Sequence, residues 1–345
     1  MRSYPHRICC GLILAAVSLV ACNAQRPTPK APAHSEAPSP PVVCAPVTSE
    51  APTALQKKPG YRQVGVVVRD ASGSEVRNLA KDDFIVKRGD TPLDVPFVKW
   101  EPDSPASVII VADTSGSSQP KLSQTKEAIT QIVNGLDPRD DVALFAFSGR
   151  PFLLESFTRN HSIVIEREKL FHPYGSTSLY DSLLTANSLM RKGCYAKRIL
   201  VVISDGLDNT SRHSLDETVK SIASAGVSAY AIAIGTSEAP QPGSLRSVFV
   251  SPNEDSVDEE TLGHLTDPGG GATFRVAEIA DKDLLEAAAK TINERSRGQY
   301  VVGFIDPSKS DLPAVTLRIR NHTDYHLFGY SAPNVQPSLT AAPAS

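Results

Sequence analysis

The chain has 345 residues, 41% of them hydrophobic, and a formal net charge of −3. That length allows one or two globular units with a sizeable core. The near balance of 35 basic against 38 acidic side chains gives no electrostatic reason to expect nucleic acid as a partner, and the five cysteines form no C-x-x-C pair and no Cys/His cluster at zinc spacing, which argues against a thiolate zinc site.

At the N-terminus Arg2, His6 and Arg7 precede an apolar run over 8–21. The run is too short to span a bilayer and fits the charged and apolar regions of a secretory signal. It ends in Leu19-Val20-Ala21-Cys22, which resembles the lipobox of bacterial lipoproteins. Residues 1–22 are therefore expected to be a lipoprotein signal peptide, and the resemblance implies cleavage before Cys22, acylation there and membrane attachment through the lipid. Asn23, where an Asp would imply inner-membrane retention, favours the outer membrane of the cell envelope. An ordinary signal peptide with a chance cysteine is the alternative. Removal of Cys9 and Cys10 and lipidation of Cys22 leave Cys44 and Cys194, for which an oxidising compartment allows a disulfide. Residues 23–60 are rich in Pro, Ala, Ser and Thr, with Pro27, Pro29, Pro32, Pro38, Pro40 and Pro41. Such a segment cannot bury a core and reads as a disordered, semi-extended tether.

From 61 to 103 the pattern changes to short strands, 63–69, 84–87 and 95–100, separated by turns at Asp70-Ala-Ser-Gly-Ser74 and Arg88-Gly-Asp90. This β-rich segment is too short to stand alone. Matching strands lie at the far end, at 299–304, 314–320 and 325–330. Segments 61–103 and 298–331 are expected to pair into one small β-rich domain, with two separate β units as the alternative, and 332–345 is expected to be a disordered tail.

Between them, 104–297 alternates strand and helix. The apolar strand Val108-Ile-Ile-Val111 is followed by a helix with Leu122, Thr125, Ile129, Ile132, Val133 and Leu136 on one face. Strands at 141–147, 152–157, 198–204, 227–234 and 272–276 follow. Helices are marked by Leu179, Leu183, Ala186, Leu189 and Met190, by the capping box Ser214-Leu-Asp-Glu217, and by Leu284, Leu285, Ala288 and Ile292. Alternation of this kind predicts an α/β fold, a doubly wound and mostly parallel sheet with helices on both faces. The connection 235–257, carrying Pro240, Pro242 and Pro252, is expected to be a surface insertion.

The chemistry gathers at strand ends. Asp113, Ser115 and Ser117 follow the first buried strand as D-x-S-x-S, Thr177 lies in the loop before a helix, and Asp205 ends the strand 199–203 in Ser204-Asp205-Gly206. In an open α/β sheet ligands bind outside the carboxyl ends of the strands. Two carboxylates and three hydroxyls converging there form an all-oxygen set suited to Mg²⁺ or Mn²⁺.

At these residues the chain resembles the von Willebrand factor type A family, whose metal-ion-dependent adhesion site (MIDAS) combines D-x-S-x-S, a Thr and an Asp in a strand-ending D-G. Asp113, Ser115, Ser117, Thr177 and Asp205 match all five positions in order. Asp83-Phe84 before the domain and Gln299-Tyr300 after it look like the bacterial exported subgroup called VWFA-related, common in Acidobacteria. The resemblance implies that the hydroxyls contact the cation, that the carboxylates act partly through water, and that an open position takes an Asp or Glu carboxylate of a partner protein. Ser176 stands where the family usually has a second Gly, which removes no ligand.

Other residues are given plainer roles. Asp208 is expected to be a solvated loop carboxylate, with a supporting role behind the Asp205 ligand as the alternative, His264 and Asp267 a helix-end and turn pair, and Gly269-Gly-Gly271 a turn. Trp100 is expected to pack between the β part and the α/β unit, and Lys192, Lys197 and Arg198 to form a solvated basic face. No G-x-S-x-G, H-E-x-x-H or Cys/His signature is present, so enzymatic readings and a small-molecule substrate are not expected. The expected function is a non-enzymatic binding module for adhesion or assembly on a lipid-anchored envelope protein. A structural scaffold whose contacts ignore the metal is the alternative, and a metal-assisted hydrolase lacks a nucleophile and base.

Overall fold

The computed structural model describes residues 51–71, 74–235, 257–276, 282–295, 297–308 and 315–330. The signal segment with Cys22, the tether up to residue 50, nearly all of the connection 235–257 and the tail 332–345 lie outside the described residues. Within the stretch read as tether, Thr53–Gln56 (α1) makes one helical turn, and the Asp306 N–H donates to the Gly60 carbonyl at 2.8 Å.

Two sheets carry the fold, and both follow the expected class. The first is six-stranded, in the order β6 (Pro151–Thr158), β5 (Asp141–Phe147), β4 (Ala106–Asp113), β7 (Lys197–Ser204), β8 (Ser228–Ile234), β9 (Ala272–Val276). All neighbours run parallel except β6, which returns antiparallel on β5. Residues 108–112 of β4 are inaccessible on both faces, so the strand is an unbroken apolar run instead of an alternating one. Successive side chains still point to opposite faces. Val108, Ile110 and Ala112 meet α2 (Leu122–Gly135) and α7 (Lys282–Arg295) through Ile129, Ile132, Leu285 and Ile292. Ile109 and Val111 meet α4 (Leu179–Leu189), α5 (Leu215–Ser224) and α6 (Glu259–Thr266) through Leu183, Ile222 and Leu262. The Ser214 capping box opens α5 as expected, with reciprocal bonds between Ser214 and Glu217; such caps contribute about 1 kcal/mol. The helix α3 (His161–Glu166) was not legible in the periodicity, because six residues give too few apolar positions.

The second sheet is antiparallel and draws on both ends of the chain, in the order β11 (Val315–Ile319), β2 (Phe84–Arg88), β3 (Thr91–Glu101), β10 (Gln299–Ile305), β1 (Tyr61–Arg69), β12 (His326–Tyr330). β10 lies between β3 and β1, with Val302 opposite both Val98 and Val64. Neither end can form this sheet alone, and the alternative of two separate β units does not hold. Its core holds Val64, Val66, Phe84, Tyr300, Val302 and Leu317. Trp100 packs there too, edge-on to Tyr300 at 4.9 Å between ring centroids. The expectation that Trp100 sits between the two units is thereby corrected; strand alternation turns it onto the antiparallel sheet's own core face.

Ion pairs join the sheets at the amino ends of the parallel strands. Lys197 is buried and pairs with Glu75, so it is no part of a solvated basic face, and burial holds its ammonium well below the ordinary lysine range. Arg69 of β1 donates to Ser228 of β8. Arg297 grips the fully buried Asp140 through both oxygens, at 3.0 and 2.9 Å. At the same end Cys194 is buried and disulfide-bonded; Cys44 lies outside the described residues. Among the described residues no helix is long and apolar enough to cross a membrane.

Candidate metal centre

The chain reverses its direction of travel across the parallel sheet between β4 and β7: β5 and β6 build outward on one side, β8 and β9 on the other. A crevice opens at the carboxyl ends of strands at such a switch point. Register sets its chemistry. Ala112 stands opposite Ile203, so the next residues, Asp113 and Ser204, are level, and the Ser204 hydroxyl donates to Asp113 at 3.0 Å. Asp205 follows as the chain leaves β7.

Three loops close the crevice, each tied to its neighbours. The first is the D-x-S-x-S loop, which passes into a 3₁₀ turn over Gly116–Lys121. The Ser115 N–H donates to Asp113 at 2.8 Å, and the Ser115 and Ser117 hydroxyls lie 3.2 Å apart. Thr114 fastens this loop to the end of β5 through its N–H and its hydroxyl, at 2.7 and 2.9 Å from the Phe147 carbonyl. The second loop carries Thr177. The Tyr174 N–H donates to the Thr114 carbonyl and the Gly116 N–H to the Gly175 carbonyl, each at 3.0 Å, which lays this loop against the first. The third loop follows Asp205. Its Asn209 side chain accepts the Thr177 N–H at 2.9 Å, while the Asn209 and Thr210 N–H groups donate to the Thr177 carbonyl at 3.0 and 3.1 Å. Gly206 makes the exit from β7 feasible: its φ is +87°, and a Cβ there would lie 2.6 Å from the Asp258 carbonyl oxygen.

Asp113, Ser115, Ser117, Thr177 and Asp205 are thus gathered on three interlocked loops at one strand-end crevice. Asp113, Ser115, Thr177 and Asp205 are buried, whereas Ser117 is exposed at the rim. Burial pushes the Asp113 carboxyl up to about 6; the Ser115 N–H pulls it down and the Asp205 charge pushes it further up. A buried carboxylate beside a second one is a place where positive charge is favoured. Among the described residues no three His, Cys, Asp or Glu side chains group as a metal site, so hydroxyls have to complete any ligand set. Hard oxygen donors with only two carboxylates suit Mg²⁺ or Mn²⁺ that keeps part of its water, and the residues present fit such an ion.

Three neighbours of the crevice were not singled out from the sequence. Ser204 and Asn209 brace Asp113 and Thr177, as given above. Lys121 donates to Asp205 at 3.1 Å, with both side chains nearly buried. A lone lysine at the start of a helix reads as solvated, so only the fold reveals it. Asp208 is also more than a solvated loop carboxylate. It accepts from the Tyr180 N–H at 3.1 Å and from the Ser211 N–H and hydroxyl at 3.0 and 2.6 Å, tying the third loop to the start of α4. His264 lies in α6, and Asp267 opens the 3₁₀ turn Asp267–Gly269 that follows it. Beside the crevice, on the Thr177 side, a groove of about 710 Å³ is lined by Arg150, Pro151, Asp181, Leu184, Thr210 and His213 among others; His213 and Asp181 pair across 2.7 Å.

Residues 108–207 match the model of the von Willebrand factor type A domain. The human inter-alpha-trypsin inhibitor heavy chain H4 is 27% identical over 147 residues, covering 38% of this chain but only 16% of that protein. Among solved structures, the conserved hypothetical protein BatB of Bacteroides thetaiotaomicron is 20% identical, with 55% of this chain and 98% of that one covered and a TM-score of 0.45. Proximal thread matrix protein 1 of the mussel byssus, with zinc in its MIDAS motif, is 16% identical, with 59% and 49% covered and a TM-score of 0.44.

Proposed function

From a chain that contains a von Willebrand factor type A domain, we propose a protein-binding module that captures an acidic residue of a partner through a divalent cation, Mg²⁺ or Mn²⁺, held by Asp113, Ser115, Ser117, Thr177 and Asp205. The observation that carries this reading is the gathering of the buried Asp113 and Asp205 carboxylates with the Ser115, Ser117 and Thr177 hydroxyls on three interlocked loops at one strand-end crevice. When bound, the cation supplies an electrophilic position for the partner's carboxylate. The chain's own groups orient the site: Ser204 and the Ser115 N–H fix Asp113, and Asn209 holds the Thr177 backbone. The exposed Ser117 leaves the rim open to an incoming side chain.

The reading is non-enzymatic, since none of these groups is set up as a nucleophile with a base. It also takes the domain to sit, on a tether, on a periplasm- or surface-facing lipoprotein of the bacterial envelope anchored at Cys22; the sequence around Cys22 supports that part alone.

Calorimetric titration of Mg²⁺ and Mn²⁺ into the chain tests the site. Asp113→Ala and Thr177→Ala are each expected to lower affinity by about tenfold or more, since losing even a group that only supports a ligand typically costs about 10–100-fold. Binding unchanged in both variants would remove the site, and partner capture indifferent to chelator would favour the scaffold reading instead.

A further inference from the structure

The crevice contains a positive charge of its own. Lys121 ends the 3₁₀ turn that continues from the D-x-S-x-S loop, directly after Pro120 and directly before α2. Its backbone is therefore fixed by the same turn that positions Ser115 and Ser117. Its ammonium lies 3.1 Å from the Asp205 carboxylate, with 8% and 5% of the two side chains exposed. The second Asp205 oxygen accepts the Leu207 N–H at 3.1 Å. Screening by solvent is weak at this depth, so the lysine charge acts on Asp205 with little damping.

We propose that Lys121 tunes the cation site, weakening the hold on a bare divalent cation and making occupancy depend on an acidic ligand. The inference rests on the function proposed above. Charge arithmetic gives the reason. Asp113 and Asp205 contribute two negative charges and Lys121 one positive, leaving −1. A divalent cation alone brings the crevice to +1, and the partner's carboxylate returns it to zero. Without Lys121, the cation alone would already neutralise the two carboxylates, and an incoming carboxylate would add an uncompensated charge. Lys121 therefore moves the point of neutrality from the metal-loaded site to the metal-plus-ligand site. A salt bridge that served only to pin the turn would make the opposite prediction, because loosening the turn would weaken the cation as well.

The test is Mn²⁺ titration into the full chain, wild type beside K121M and K121R, with melting temperature recorded in chelator and in Mn²⁺. K121M is expected to bind Mn²⁺ about tenfold tighter, the scale of one unit charge acting across a partly buried site. It is also expected to melt lower in chelator and to gain more from Mn²⁺ than the wild type does. K121R keeps the charge and is expected to stay within a few-fold of wild type. Equal or weaker binding in K121M, with wild-type binding intact, overturns this inference and leaves the cation site standing. Absence of Mn²⁺ binding from the wild type and K121M alike overturns both. Binding that emerges only in K121M supports the tuning role in its strongest form.

Discussion

The two ends of the parallel sheet handle buried charge in opposite ways. At the amino ends of the strands, Asp140 meets Arg297 through two hydrogen bonds, Lys197 meets Glu75, and Arg69 reaches Ser228. Each partner comes from a different part of the chain, and two of the three contacts cross to the antiparallel sheet or the turn behind it. At the carboxyl ends, Lys121 meets Asp205, and hydroxyls and backbone amides hold Asp113. The base uses its charges to weld two sheets, whereas the crevice keeps a surplus of negative charge at a fixed place. A buried pair that is completed holds structure together, whereas a buried carboxylate short of positive charge is an opening for a ligand where an exposed rim, here Ser117, gives access to it.

That contrast can be broken by moving charge at either end. The largest effect is expected at the base: Arg297→Ala leaves Asp140 buried and unpaired, which should cost roughly 3–5 kcal/mol while cation affinity stays within a few-fold of wild type. Chemical denaturation together with Mn²⁺ titration checks this, and a matching loss of affinity would show that the two ends are not independent. Asp141, also at the base, gives a pH-dependent version. Burial pushes its carboxyl up to about 6, against hydrogen bonds from Ser107 and the Cys194 N–H. A folded value above the unfolded one means that its contribution is full below about pH 4 and is lost as pH rises through about 6. The wild type should therefore lose up to about 3 kcal/mol relative to Asp141→Asn between pH 4 and 7; parallel urea-denaturation curves for the two would contradict this. The smallest effect belongs to the crevice backbone. Gly206→Ala forces a side chain into a left-handed turn against the Asp258 carbonyl and should cost about 1–3 kcal/mol, read as a lower melting temperature in chelator.

Much of this was legible before any coordinates. The buried run 108–111 and the alternation of strands with amphipathic helices made the parallel sheet readable, because apolar periodicity is a local property of the chain. The Ser214–Glu217 cap was readable for the same reason. The five oxygen-bearing residues of the crevice stood out because Asp113 and Asp205 each end an apolar strand. What misled was any residue whose surroundings come from distant sequence. Lys197 looked solvated beside Lys192 and Arg198, yet the turn carrying Glu75 covers it. Trp100 looked like an inter-domain residue, yet Tyr300, two hundred positions on, is the ring it meets.

The sequence by itself determined most of the strands and the longer helices, where the carboxylates and hydroxyls stand along them, and that both chain ends carry unpaired β segments. Only the tertiary structure decided that those ends share one sheet through β10, that register sets Asp113 level with Ser204, and that Lys121 turns inward onto Asp205. The reason is range. Periodicity and strand ends are encoded within a few residues, whereas pairing a buried charge requires a partner that folding alone brings within hydrogen-bonding reach.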